Sequence, residues 1–340
     1  MSKVLKNFIG IDISKSWFDA AIVFADEPNR VVHQQFLQTI DGFQQFANWL
    51  KEQSVSLDHA TLFCMENTGI YSTALVEFLS NKNLLVWVEM PLRIKKAGGF
   101  ERSTDDKLAA IKIAYYALRH QDKAQYWRPV QGNLEKLKLL ISQRDRFMDS
   151  INQLLVPVNE LKEAGLKKEA EQLEKIQRAA INSLKKAKDD IEKLILKTVK
   201  QDNDLNQKMN RIQSIDGIGP VTAVALLVFT KGFTVFSNAK QLACYCGVVP
   251  FSKSSGSSVR YKPSVSPFAN KKLKKLLHMC AISAVQHNSD LKNYFDRKVA
   301  EGKNKMCVIN AVRNKLLARV YAVIRDERSY VENYSYACVK

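Results

Sequence analysis

A long stretch near the middle of the chain, from about Gly132 to Asp204, is rich in Leu, Lys, Glu and Gln and contains few glycines. This composition predicts a long helical hairpin, with a break or kink at Pro157. Apolar residues recur along it every seven positions, as a coiled-coil seam requires. That series is Leu166, Leu173, Ala180, Ala187 and Leu194, and Ala170, Ile176, Leu184 and Ile191 fill the same stripe. A helix of about 45 residues spans on the order of 65 Å, so the seam indicates either oligomerisation or pairing within the hairpin.

The segment before the hairpin has the pattern of an α/β sheet. NFIGIDISKSWFDAAIVF and VVHQQFLQT predict a meander of three antiparallel strands. Two helices, FQQFANWLKEQ and STALVEFLSNKN, then alternate with two apolar strands, ATLFCMEN and LLVWVEMP, which predicts parallel pairing later in the sheet. A further helix is predicted from Asp105 to about His120. We therefore predict a first domain over residues 1–130, with the hairpin at 131–205 and a helical domain at 206–340.

The last segment opens with IQSIDGIGPVTAVALLVF, where Gly217 and Gly219 separate two helical patterns. Such a turn can present backbone amides to a phosphate, as in a DNA-binding helix-hairpin-helix. The alternative is a plain glycine turn between core helices. A serine-rich basic stretch without apolar periodicity follows and predicts a loop, for which a flexible linker is the simplest interpretation. Three further helical patterns complete the chain.

The charge balance favours a polyanionic partner. The 340 residues include 52 Lys and Arg against 34 Asp and Glu, a net charge of +18. Nucleic acid is the leading partner on this ground, and a basic enzyme or a ribosome-associated protein is the alternative. No run of eighteen apolar residues and no secretory leader pattern is seen, so we expect a cytoplasmic chain without a membrane partner.

Carboxylates follow two of the predicted strands. Asp12 follows FIGI and Glu66 follows LFCM, and the ends of such strands gather the functional site in α/β sheets. Asp105 and Asp106 begin the next helix, where a carboxylate can cap the helix or join the other two acids. Carboxylates that share a site repel each other unless a cation is bound. The pattern therefore predicts a Mg²⁺ site.

Seven segments occur in the order found in one family: GIDISK, CMENTGIY, DDKLAAIKIA, IDGIGPVTA, QLACYCGVVP, the SSGSS loop and the basic helix FANKKLKKLL. Together they resemble the DEDD insertion-sequence transposases related to the Piv DNA invertase, over nearly the whole chain. The resemblance implies an RNase H-like (RuvC-like) N-terminal domain, a coiled-coil linker and a helical transposase domain with a serine nucleophile. It also implies a homo-oligomeric recombinase, a dimer or a tetramer, in which a noncoding bridge RNA pairs with donor and target DNA.

The family's catalytic positions can be carried over residue by residue. Asp12, Glu66 and Asp106 match the first three acidic positions and would bind Mg²⁺, while Ala109 stands where the family has a fourth acid. Ala109 is then an inactivating replacement, introduced or natural, or a tolerated variant. Ser255 matches the serine of the Ser-Gly motif, with Ser254 as its neighbour. A phosphoserine intermediate would conserve the energy of the cleaved bond without ATP.

Basic residues around the serine loop are candidates for phosphate contacts, and a solvated surface is the alternative. These residues are Arg260, Lys262, Lys271, Lys272, Lys274 and Lys275. Two other functions stay open. One is an RNase H-like, junction-resolving nuclease that uses metal-activated water; the other is a catalytically dead nucleic-acid-binding protein.

Overall fold

The computed structural model of the chain describes residues 4–67, 69–97, 106–127, 133–255, 259–265 and 269–332. The chain divides into two compact units, Met1–Pro129 and Val130–Lys340. Each unit has its own hydrophobic core and is described separately.

Unit 1 contains a five-stranded mixed sheet with the order β3-β2-β1-β4-β5. Its strands are β1 (Asn7–Ile13), β2 (Trp17–Phe24), β3 (Val31–Leu37), β4 (Thr61–Glu66) and β5 (Leu85–Glu89). The first three pair antiparallel as a meander, and β1 with β4 and β4 with β5 pair parallel. The structure confirms the predicted change from antiparallel to parallel pairing.

Helices cover both faces of this sheet. They are α1 (Ile40–Glu52), α2 (Thr73–Asn81), α3 (Pro91–Ala97) and α4 (Asp106–Arg119). Side chains such as Ile9 and Ile11 share a core with α1 and α2, whereas Phe8 and Trp87 pack with α4. Because both faces are buried, the strands are continuous apolar runs rather than alternating ones. The short helix α3 was not predicted, since its seven residues show no helical period.

Unit 2 begins with two long helices, α5 (Leu134–Glu163) and α6 (Lys167–Lys200), which pack against each other as the predicted hairpin. Helix α5 continues through Pro157, so no break occurs there, while the alternative of a kink stays a prediction. The predicted seam was right in part. Its members Ala170, Leu173, Leu184, Ala187 and Ile191 are buried or half-buried, and Ile181, which the prediction left out, is buried as well. Its members Leu166, Ile176 and Leu194 are 46%, 76% and 39% exposed, and Ala180 is exposed too.

The exposed members have a simple cause. A strict seven-residue repeat drifts by about 20° per repeat around a straight helix, so its ends leave the buried face. The base of α6 sets that face, because Ile195 and Val199 are anchored in the core of unit 2. The stripe in line with these residues includes Ile181, and it faces α5.

Six further helices of unit 2 pack around the base of the hairpin. They are α7 (Asn203–Gln213), α8 (Pro220–Phe229), α9 (Ala239–Tyr245), α10 (Lys271–His287), α11 (Ser289–Ala300) and α12 (Lys305–Arg325). Leu134 and Leu137 of α5 belong to the same core as α8 and α12. The predicted boundary between 131–205 and 206–340 therefore does not separate two cores, and it stays a prediction.

The serine-rich segment was predicted as a loop, but the structure gives it two antiparallel strands. These are β6 (Pro250–Ser255) and β7 (Val259–Val265), with an irregular register between Phe251 and Lys253. The strand pattern is hidden in the sequence because the strands are short and largely polar. Within the described residues, no helix has the length and apolar character needed to cross a membrane.

Candidate active site

The sheet of unit 1 places Asp12 and Glu66 side by side at the carboxyl ends of two neighbouring strands, β1 and β4. Ile11 pairs with Met65 in the parallel β1–β4 ladder, so Asp12 and Glu66 are the next residues of the two strands. Both are half-buried. Since side chains alternate along a strand, these acids lie on the face that carries Phe8 and Leu62, which α4 covers.

Gly10 allows α4 to lie very close to this face. A Cβ atom at Gly10 would be 2.1 Å from the carbonyl oxygen of Ala110 and 2.2 Å from the backbone nitrogen of Ala114. The strand and the helix backbones are therefore in direct contact, which only glycine permits. Asp106 lies one turn before Ala110 on the same face of α4, and this close approach brings its carboxylate towards Asp12.

The three acids influence each other electrostatically. Burial raises the pKa of Asp12, and the charge of Asp106 raises it further. Burial also raises the pKa of Glu66, with a second contribution from the charge of Asp12. The fold thus places Asp12 within the electrostatic reach of both Glu66 and Asp106, although the role of these acids in catalysis stays a prediction.

Ala109 lies on α4 three residues after Asp106 and is half-buried. Residues three apart are neighbours on a helix surface, so an acidic side chain at this position would lie beside that of Asp106. Its methyl group contributes no charge and no ligand. Ala109, where the sequence analysis expects a fourth acid, therefore lies next to Asp106 and provides no metal ligand.

Two further acids near the cluster were missed by the sequence analysis. Asp19 lies opposite Asp12 in the β1–β2 ladder and is only 4% exposed. His33 Nε2 and Gln35 Nε2 bond to its two oxygens at 2.8 and 3.0 Å. A single acid inside the apolar strand WFDAAIVF was the available signal. The charge of Asp19 also raises the pKa of Asp12.

Glu89, the second acid, ends β5 opposite Glu66 and is also 4% exposed. Its carboxylate accepts hydrogen bonds from the backbone nitrogen of Met90 at 2.7 Å and from the Tyr116 hydroxyl at 3.2 Å. Arg93 forms an ion pair with it at 3.4 Å. Because its oxygens have these partners, Glu89 acts as a structural anchor between β5, α3 and α4.

The donor set of the cluster fits a divalent cation. Within the described part of the chain, no three His, Cys, Asp or Glu side chains are close enough to hold a metal ion as they stand. Asp12 nevertheless feels the negative charge of Asp106, and Glu66 that of Asp12, and all three offer only carboxylate oxygens, the ligands that Mg²⁺ prefers. A bound cation would remove this repulsion.

The serine position lies in unit 2. Ser255 is the last residue of β6, paired with Val259 of β7, and Ser254 pairs with Arg260. The side chains of these serines, of Arg260 and of Lys262 lie outside the described part of the structure. The base of this hairpin is tied to α12, because Asn310 Nδ2 donates a hydrogen bond to the carbonyl oxygen of Val248 at 2.7 Å.

The two glycines between α7 and α8 have different surroundings. Gly217 has φ of +88°, and a Cβ atom there would be 2.7 Å from the carbonyl oxygen of Cys280 in α10. Its lack of a side chain is therefore needed for helix packing, as the alternative of a plain turn expects. Gly219 is exposed and caps the N-terminus of α8, with nothing near its Cα hydrogens. Phosphate binding by this turn stays a prediction.

The lysines of α10 divide into two groups. Lys272 forms an ion pair with Asp145 of α5 and lies 5.4 Å from the centre of the Phe229 ring, so it supports packing. Lys271 and Lys275 are exposed, and Lys274 is half-buried. The three share one face of the helix at i, i+3 and i+4 spacing, which leaves them as the candidates for phosphate contacts.

Comparison with known proteins agrees with these features. Residues 9–161 match the family DEDD_Tnp_IS110, described as a transposase, and residues 209–296 match the Transposase IS116/IS110/IS902 family. The chain therefore carries both of the domains found in IS110-type transposases. The matched ranges contain Asp12, Glu66 and Asp106 in unit 1 and the serine hairpin in unit 2.

Relatives support this assignment along the chain. The transposase is 28% identical to the pilin gene-inverting protein of Moraxella bovis over 332 residues, which cover 96% of this chain and 98% of that protein. It is 28% identical to the transposase for insertion sequence element IS1111A of Coxiella burnetii over 37% of this chain and 35% of that protein. The family assignment implies that DNA is its substrate and recombination its activity.

Proposed function

We propose that this transposase cleaves and exchanges DNA strands through a phosphoserine intermediate formed at Ser255. The serine oxygen attacks the phosphorus of a DNA phosphodiester, its proton is removed, and one DNA hydroxyl leaves. Attack by a DNA hydroxyl on the phosphoserine reverses the step and joins a new strand. The bond energy is conserved, so no nucleotide cofactor is required.

The observation that carries the proposal is the acidic cluster of unit 1, combined with the family match of both units. Asp12, Glu66 and Asp106 come from three different elements. The charge of Asp106 nevertheless raises the pKa of Asp12, and the charge of Asp12 raises the pKa of Glu66. Such an arrangement destabilises a fold and is typical of functional sites. These three residues would hold Mg²⁺, which when bound supplies positive charge to a phosphodiester and to the developing charge of the reaction.

Three finer features belong to the same proposal. The unit 1 sheet, a meander followed by two parallel strands, supports an RNase H-like fold. The net charge of +18 supports binding of a bridge RNA as well as of donor and target DNA. The exposed Ile176 and Leu194 lie about five turns apart on the same side of α6 and support a homo-oligomer, because exposed apolar side chains along one helix face can pack against a partner.

The test is a search for DNA covalently bound to the protein. The transposase is expressed with its native flanking DNA, both unmodified and with Ala109→Asp, and the DNA is examined on denaturing gels before and after proteolysis. We expect an adduct in the Ala109→Asp variant, and we expect Ser255→Ala to abolish it. Ser254→Ala is the matched control and should retain the adduct.

The other outcomes point to the two rival functions. Cleavage by the Ala109→Asp variant without an adduct, unaffected by Ser255→Ala, would indicate a nuclease that uses water. Tight binding without cleavage in every variant would indicate a DNA- or RNA-binding protein. Either result would overturn the serine mechanism, whereas an adduct in the unmodified chain would show that Ala109 is tolerated.

A further inference from the structure

The second face of α4 carries basic and aromatic residues in place of a polar solvent face. Asp106, Ala110, Ile113 and Ala117 point towards the sheet. On the other side, Lys112, Tyr115, Tyr116 and Arg119 follow i, i+3, i+4 and i+7 spacing and form a single stripe. The stripe is therefore basic at both ends and aromatic in the middle.

This stripe forms one wall of an open cleft with a volume of about 140 Å³. Ile94 and Ala97 of α3 line the opposite side, and His120 closes the end. Among the described residues, no carboxylate lines it. Its volume is below the range of about 300–1,000 Å³ that is usual for ligand pockets, so it suits a part of a ligand, such as one base, rather than a whole nucleotide.

Contacts beneath the cleft hold its aromatic wall in place. The Tyr116 ring centre lies 5.2 Å from that of Trp87 and 4.8 Å from that of His120, and its hydroxyl donates to the buried Glu89 at 3.2 Å. The Tyr115 hydroxyl donates to the carbonyl oxygen of Pro28 at 2.8 Å. Fixed aromatic rings lose little entropy when a ligand binds to them.

The charges of the cleft select an anion. Arg119 is exposed, and its guanidinium lies 5.7 Å from the centre of the Tyr115 ring. Among the described residues, no carboxylate forms an ion pair with Arg119, and α3 adds the exposed Lys95 and Lys96 close by. Lys112 and Arg119 are separated by about 10 Å along the helix axis, enough to contact phosphates of a strand on either side of the tyrosines.

From this arrangement we propose that the α3–α4 cleft binds a single strand of nucleic acid, with phosphates on Lys112 and Arg119 and a base against Tyr115 and Tyr116. Base stacking on aromatic side chains combined with cations along the backbone is the general mode of single-strand binding. The inference deepens the proposed recombinase by naming where unit 1 holds a strand. It does not depend on the acidic cluster or on Ser255.

The test measures binding without chemistry. Full-length Ser255→Ala protein in EDTA is mixed with a labelled, mixed-sequence DNA single strand of about 12 nucleotides, within the usual site size, and affinity is followed by fluorescence anisotropy over a series of salt concentrations. Lys112→Ala/Arg119→Ala should weaken binding roughly tenfold and reduce the salt slope by about 1.4, since each phosphate contact on a single strand contributes about 0.7. Lys112→Arg/Arg119→Lys should retain the slope.

A matched control carries Lys6→Ala/Lys51→Ala, two exposed cations of unit 1 outside the cleft. An equal loss of affinity and slope in this control would overturn the proposal, because the cleft cations would then contribute only net charge. Tyr115→Leu should weaken binding about fivefold at an unchanged slope, given the usual strength of stacking. Thermal unfolding of each variant checks that the fold is intact.

Photocrosslinking decides the location directly. A strand carrying 5-iododeoxyuridine is irradiated on the protein and the product is digested with trypsin. Cleavage after Lys112 and Arg119 isolates residues 113–119, which contain both tyrosines. The same experiment is done with RNA of the same sequence that carries 5-iodouridine. We expect a crosslink on this peptide from the DNA, from the RNA or from both. The nucleic acid that gives the stronger crosslink identifies the natural strand. Absence of the crosslink from both would overturn the proposal.

Discussion

Asp12, Glu66 and Asp106 destabilise the folded chain when all three are ionised, because each carboxylate lies in the field of another. Burial and repulsion raise the pKa of Asp12 and of Glu66, so the folded state holds these protons more strongly than the unfolded state does. The stability gained from protonation is fully present below the unfolded pKa values. It is lost as the pH rises through the folded values.

Asp12→Asn tests this balance by removing one of the charges. We expect the variant to unfold about 2 °C or more above the unmodified chain near pH 7 in EDTA, given the usual relation between free energy and midpoint. Near pH 4 the difference should shrink. Mg²⁺ should raise the midpoint of the unmodified chain and leave that of Asp12→Asn unchanged, as measured by differential scanning fluorimetry.

The control for that measurement is Asp26→Asn, which removes an exposed acid of unit 1 away from the cluster. It should alter neither the midpoint nor the response to Mg²⁺. A magnesium response that persists in Asp12→Asn would mean that the cation binds elsewhere.

Ala109→Asp makes the opposite change and adds a fourth carboxylate next to Asp106. We expect its unfolding midpoint to fall by a few degrees in EDTA and to recover in Mg²⁺, because a fourth like charge increases both the repulsion and the number of ligands. The concentration of Mg²⁺ that gives half of the stabilisation should be roughly tenfold lower for Ala109→Asp than for the unmodified chain. Ala109→Asn has the same shape without the charge, and an identical magnesium response in both variants would contradict this reasoning.

At the scale of elements, the sequence predicted the strands of unit 1 and not the way α4 meets them. Apolar runs ending in Asp12 and Glu66 give the strands and the edge where the acids lie. The contact between Gly10 and Ala110 joins distant parts of the chain, so no local sequence pattern predicts it. The only sequence signal was that the residues in contact are small. Asp19 and Glu89 were missed for a related reason, since their partners lie on other elements.

Gly10→Ala tests whether the close approach of α4 is needed. The added Cβ would overlap the helix backbone, which no side-chain rotation relieves, so we expect a loss of about 1–3 kcal/mol in the free energy of unfolding. Divalent cation binding should weaken as well, because Asp106 moves with α4. Gly219→Ala, where open space surrounds the glycine, is the matched control for denaturant unfolding. An equally small effect at both glycines would contradict the packing argument.

The helical hairpin shows what a repeat in the sequence leaves undetermined. Its apolar residues predict two long helices and a part of the buried stripe, but the core at the base of α6 decides which residues face α5. Ile181→Ala should therefore cost about 2–5 kcal/mol, as for a buried isoleucine. Ile176→Ala should cost close to nothing, because that side chain is 76% exposed. Urea unfolding compares the two, and a larger effect at Ile176 would restore the register predicted from sequence.

For the whole molecule, the question is how the net charge of +18 contributes to binding nucleic acid. It can act through the overall field of the protein or through contacts of particular side chains with phosphates. If the charge serves DNA binding, affinity for a mixed-sequence duplex should fall by about a thousandfold between roughly 50 and 200 mM salt, as for proteins that contact six or more phosphates. Filter binding with Ser255→Ala protein in EDTA measures this without cleavage. A nearly flat salt dependence would mean that the charge has another purpose.

The position of the charges matters as much as their number. Lys271 and Lys275 are exposed on α10, beyond the serine hairpin, whereas Lys185 and Lys186 are exposed on α6. Changing either pair to glutamate alters the net charge by the same amount. We expect only Lys271→Glu/Lys275→Glu to reduce the salt slope for duplex DNA, by about 1.8, because each lost phosphate contact removes about 0.9. Equal slopes in the two variants would mean that α10 does not contact the DNA backbone and that the protein binds duplex through its overall field alone.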